Sequence, residues 1–102
     1  MKVYTIIDVF DDGSECWVAN YSDIGSAKIA FREYLKHNGE TYPSMNDKNV
    51  YLVNISDDEF TTDELFDDLV EGGWGMECGD GSTIFVRGED MHSKFSKSDL
   101  PF

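Results

Sequence analysis

Cys16, Cys78, His37 and His92 are the side chains of this 102-residue chain that could do thiol or imidazole chemistry. A nucleophilic site needs one of them beside a base that a third group orients. Cys16 falls in a strand-like run, His37 near the end of a helical pattern and His92 in an irregular tail, and no local signature joins them. The same four lie far apart and lack the C-x2-C or H-x3-H spacing that zinc requires. Two cysteines permit one disulfide but not a multi-bridge framework, and reduced thiols fit better. No catalytic residue, metal ligand or cofactor is expected.

Carboxylates are the other chemical resource. The stretch from Ile55 to Gly73, ISDDEFTTDELFDDLVEGG, carries eight acidic residues and no basic one. Hard cations bind such oxygens, but the D-x-[DN]-x-[DN]-G-x5-E loop of calcium sites is absent, so Asp57, Asp58 and Glu59 offer at most weak attraction to a divalent ion. The following glycines, in EGGWGMECGDG, do not make a phosphate loop. Such loops continue into Gly-Lys-Ser/Thr, and dinucleotide loops join a strand to a helix. Glu71, Glu77 and Asp80 would also repel phosphate, so turns and a bulge account better for these glycines.

The elements that must position these acids follow from residue type and period. Val3 to Phe10, VYTIIDVF, reads as a strand that is apolar on both faces except at Thr5 and Asp8, hence central in its sheet. DDGSE turns the chain, and Cys16 to Tyr21 returns as a hairpin partner. SDIGSAKIAFREYLKHNG is a helix capped by Ser22 or Asp23 and ended by Gly39, with Ile24, Ala27, Phe31, Tyr34 and Leu35 at helical spacing. Lys28, Arg32 and Lys36 form a basic stripe, expected on its exposed side. Glu40 to Lys48 is loop, and Asn49 to Ile55 is a third strand.

A second helix over about Thr62 to Glu71 opens on a capping box, Thr61 with Glu64, and stops at Gly72-Gly73. Trp74 to Cys78 and Ser82 to Arg87 make a hairpin around Gly79-Asp80-Gly81. The order ββαβαββ predicts one small α+β domain over residues 1–90, a mainly antiparallel sheet with two helices packed on one face. Residues 91–102 are expected to be a loosely ordered tail.

The charge is segregated. The whole chain carries a formal net charge of −13, and Asp57 to Asp90 holds twelve acids against the single base Arg87. That field repels nucleic acid and anionic membranes and attracts basic proteins. The start of the chain, without a basic-then-apolar leader or a run that could span a bilayer, suggests a cytoplasmic protein.

In the second helix Leu65, Phe66, Leu69 and Val70 form the apolar face. Asp63, Asp67 and Glu71 make one acidic row, and Glu64 with Asp68 another. Like charges one turn apart oppose each other by roughly 0.2 to 0.5 kcal/mol per pair. The helix dipole accounts for Asp63 and Glu64 but not for Asp68 or Glu71. The rows repeat at about 5.4 Å, comparable with phosphate spacing along a nucleic-acid strand.

Two readings of this face compete: a solvated surface kept for solubility, and a docking surface for a basic protein. On the second, the protein is a non-enzymatic inhibitor that mimics nucleic acid, or covers a nuclease in the manner of an immunity protein. Its contacts would be Asp57, Asp58, Glu59, Asp63, Glu64, Asp67, Asp68, Glu71, Glu77 and Asp80, and its partner a basic nucleic-acid-handling enzyme or complex. The chain is similar in size and charge to small acidic anti-restriction and anti-CRISPR inhibitors of phages and mobile elements, a similarity of class that carries no motif and no residue across. Two alternatives stay open. One is a small accessory enzyme or ligand-binding domain using Trp17, Tyr51 and Trp74 on a sheet face. The other is a dimerising scaffold that pairs through the first strand or Ser82 to Arg87.

Overall fold

β-Branched and aromatic residues set the first sheet. β1 (Lys2–Val9) pairs antiparallel with β2 (Glu15–Tyr21) on one side and, over its whole length, with β7 (Thr83–Asp90) on the other. The short β6 (Met76–Glu77) closes the order β2-β1-β7-β6. β1 is therefore interior, as its two apolar faces require, and cannot itself pair across a dimer interface. A bulge in the β1–β2 ladder falls between Ile6 and Ile7. The computed structural model describes residues 2–90, apart from the side chains of Cys16, Trp17 and Asp90; the expected tail, with His92, lies outside the described residues.

Both helices form where their caps place them. α1 (Ile24–His37) starts at Asp23, whose carboxylate accepts the Ser26 N–H at 3.0 Å. α2 (Thr62–Gly72) starts at Thr61, whose hydroxyl oxygen accepts the Glu64 N–H at 3.1 Å. It ends at Gly73, whose φ of 67° is left-handed backbone that glycine adopts at no steric cost. Ala27, Phe31 and Leu35 of α1, Leu65, Phe66 and Leu69 of α2, and Ile6, Ile84 and Val86 of the sheet share one core cluster. The helices thus lie on one face of the four-stranded sheet, with the Phe31 and Phe66 rings edge-on at 5.7 Å between centroids. No helix among the described residues is long and apolar enough to cross a membrane.

The α+β class and antiparallel pairing agree with the sequence, but there are two sheets, and the element order is ββαβββαββ. The second sheet, β3-β4-β5, consists of β3 (Tyr42–Pro43), β4 (Tyr51–Ile55) and β5 (Asp58–Thr61). Tyr42 and Pro43 fall in the stretch expected to be loop, and Asp58 to Thr61 in the acidic run expected to lead directly into the helix. The chain reverses between Ile55 and Asp58 through Ser56 and Asp57, both at positive φ (50° and 73°), the pattern of a type I′ hairpin turn.

A further correction concerns α1. Its Lys28, Arg32 and Lys36 do not stand along a solvent side. Lys28 Nζ lies 3.2 Å from Asp67 Oδ1 of α2, and Lys36 Nζ sits 4.2 Å from the centre of the Tyr51 ring. The stripe faces the second helix and the second sheet because packing α1 beside α2 brings opposite charges together along the seam.

Candidate functional site

The acidic residues divide by what they touch. On α2, Glu64 belongs to the cap: its Oε1 accepts the Thr61 hydroxyl at 3.0 Å. Asp67 is ion-paired to Lys28, and Asp68 Oδ2 accepts the indole N–H of Trp74 at 3.2 Å. Asp63 borders a small hollow of about 170 Å³, shared with Arg32, Tyr51 and Thr62. Glu71 is exposed and, among the described residues, its carboxylate has no ion-pair or hydrogen-bond partner. Three of the five acids on the helix are therefore held by the protein's own donors, and folding accounts for more of the face than its period alone suggested.

The hairpin acids stand apart. Asp57 occupies the turn, and Asp58 and Glu59 start β5, all exposed. Glu59 approaches the Tyr42 hydroxyl closely enough to raise the phenol's pKa, although that hydroxyl makes no well-formed hydrogen bond. Among the described residues Asp57 and Asp58 have no ion partner. Glu77 is exposed on the edge strand β6, while Asp80 sits in the next turn and accepts the Ser82 N–H and hydroxyl at 2.9 and 2.7 Å, which lowers its pKa.

Between these groups runs a cleft of about 360 Å³, lined by Asn54, Ile55 and Ser56 on one wall and by Trp74, Gly75, Met76 and Glu77 on the other. Glycines seat the tryptophan. A Cβ at Gly72 would come within 2.6 Å of the Trp74 ring, and one at Gly75 within 2.5 Å of Thr83 and 2.7 Å of Phe85. Gly72 thus lets the indole lie against α2 and Gly75 lets β7 approach, while Gly73 and Gly81, at φ of 67° and 88°, serve the turns that the sequence predicts. Trp74 and Tyr51 border different hollows, so the structure does not gather them on one ligand-binding face.

A different polar group was not legible as a site: the buried end of β1. Asp8 is 1% exposed and its Oδ2 accepts the Tyr34 hydroxyl at 2.5 Å, while Oδ1 has no hydrogen-bond partner among the described residues. Nearby Cys78, also buried and in no disulfide, has its thiol pKa pushed up to about 11, chiefly by desolvation and further by Glu40, Asp8 and Asp80, against a lowering hydrogen bond with Ser82. Such a thiol is a poor nucleophile at neutral pH. Among the described residues no group of three or more His, Cys, Asp or Glu side chains could hold a metal ion. His37, at the exposed end of α1, meets neither this group nor the cleft.

Compared with protein families, curated proteins and solved structures, the chain matches none.

Proposed function

We propose that this is a non-enzymatic interaction protein that binds a basic, nucleic-acid-handling protein and occupies the surface that protein offers to phosphates. The observation that carries this reading is the segregation of charge: twelve acids against one base between Asp57 and Asp90 in a chain of net charge −13. A field of that kind accelerates encounter with a basic partner and repels nucleic acid itself. Internal pairing supports a narrower contact set. Asp57, Asp58, Asp63, Glu71 and Glu77 have neither an ion pair nor a side-chain hydrogen bond among the described residues, and they form the docking set, while Glu59 lies against the Tyr42 phenol. Glu64, Asp67, Asp68 and Asp80 are held in place by internal donors and supply background field.

The experiment compares the native chain with an Asp57→Asn, Asp58→Asn, Asp63→Asn, Glu71→Gln variant as baits for basic nucleases and other nucleic-acid enzymes. The native chain retains such an enzyme at low salt, releases it as salt rises and inhibits its activity. The variant melts like the native chain and retains little. Equal retention by both across the salt series would sink the proposal.

A further inference from the structure

The cleft beside Trp74 has three properties that together specify an occupant. The first is a pair of open strand edges. β3 reaches only Tyr51 and Leu52 of β4, leaving the edge from Val53 to Ser56 uncovered on that side. A two-residue hairpin makes Ile55 and Asp58 a hydrogen-bonded pair, so the register turns the Asn54 N–H and C=O away from β5 and outward. β6 is the last strand of its sheet. The Cys78 N–H donates to the Ser82 C=O at 2.8 Å, so alternation points the Met76 main-chain groups at β7 and those of Gly75 and Glu77 outward. Asn54 and Glu77 line opposite walls of the cleft.

The second property is the indole. Trp74 is partly exposed, borders the cleft, and is fixed by its bond to Asp68 and by the clearance at Gly72. The third is charge: Glu77 sits on one wall, and Asp57 and Asp58 follow directly on Ser56 at the end of the other. An aromatic face beside a carboxylate is the chemistry that holds a guanidinium, by cation–π contact and a forked hydrogen bond.

We propose that this cleft anchors the partner: an extended basic segment adds as a strand between β6 and β4 and lays an arginine on Trp74 against Glu77. Main-chain hydrogen bonds supply affinity and the arginine supplies selectivity, the division of labour in strand addition. A second copy of this chain is a poor occupant, because two surfaces of the same strong negative sign would meet. The inference rests on the reading of the protein as a binder of basic partners and names the place and mode of that binding.

The test uses the full chain in a Trp17→Phe background, so that indole fluorescence reports Trp74. The probe is the capped hexapeptide Arg-Val-Arg-Val-Arg-Val. Binding tighter than about 1 mM with a change in Trp74 emission is expected. Replacing arginine by lysine, or N-methylating alternate peptide amides, should weaken it about tenfold. Glu77→Gln, an exposed substitution that leaves the core intact, should do the same, as should Trp74→Leu if it folds. Native affinity in Glu77→Gln, indifference to N-methylation, or dimerisation of the chain without peptide binding overturns the inference. If the peptide fails while a basic enzyme is still retained through the acids at Asp63 and Glu71, the cleft assignment falls and the proposed function stands. If neither binds, both fall.

Discussion

Two regions of the molecule use carboxylates in opposite ways. At the end of β1 one carboxyl, Asp8, is buried at 1% exposure against Tyr34, near a buried thiol. On α2, the β4–β5 hairpin and β6, the acids stand in solvent, some paired and some not. In the first region a polar group is held by the protein at a cost in desolvation that only its hydrogen bond offsets. In the second, desolvation is absent and each acid costs little more than repulsion by its neighbours. Buried acids are thus tied to folding, and the unpaired exposed ones are available for another task. Composition counts them alike.

Removing the Tyr34 hydroxyl should break the first region most severely. Tyr34→Phe takes away the donor to Asp8 Oδ2 in a buried setting and should lower stability by about 2 to 3 kcal/mol. Asp8→Val combined with Tyr34→Phe should recover most of that loss, because a pair of apolar groups leaves no orphan. Urea unfolding of the two single variants and the double variant measures the coupling. Additive losses would show that the hydroxyl and the carboxyl do not act as a unit.

The neighbouring thiol makes the same region sensitive to alkali. Burial pushes the Cys78 thiol pKa from its ordinary value near 9.0 up to about 11, so the folded state holds the proton more tightly than the unfolded chain. That contribution is fully present below about pH 9 and is lost as pH rises toward 11, by on the order of 2 kcal/mol. Cys78→Ala should flatten the stability profile in that window, whatever its effect at neutral pH. An unchanged slope would mean that burial does not protect the thiol.

How far the sequence reached differs between the two regions for physical reasons. α2 was legible because Thr61, Glu64 and Gly73 are strong local signals whose meaning does not depend on the rest of the chain. The hairpin before it was missed because Ser56 and Asp57 take positive φ without the Asn-Gly or Asp-Gly pair that advertises such a turn. The acids of β5 also have low strand propensity and belong to the sheet through pairing with β4. In the sequence Asp8 is only a polar exception in an apolar strand, since the approach of α1 is what brings Tyr34 to it. The pairing of Lys28 with Asp67 had a trace in the sequence: a basic stripe on one helix and an acidic row on the other. Their adjacency is a tertiary fact.

The hairpin itself separates charge from strain. Asp57→Gly relieves a left-handed backbone position and removes one acid of the docking set. It should raise stability by about 1 kcal/mol, since a residue with a Cβ is disfavoured there. The same substitution should weaken retention of a basic partner. A variant that binds less well while melting higher cannot owe its defect to unfolding.

The smallest expected effect tests the division within the exposed acids. Asp67 is half-exposed and its ion pair with Lys28 is screened, so Asp67→Asn should cost about 0.5 kcal/mol. Lys28→Met should cost no more, because the Lys28 stem and its contact with the Phe66 ring can be replaced by methionine packing. Glu71→Gln removes the same amount of charge from the same row, yet breaks no internal contact and should leave stability within a few tenths of a kcal/mol of native. The order reverses for partner binding, where Glu71→Gln should weaken retention more than Asp67→Asn. If instead the two substitutions weaken retention equally, the partner senses only total charge. The distinction drawn from internal pairing would then have no functional meaning, because a screened field, and not a set of particular carboxylates, would be what the partner meets.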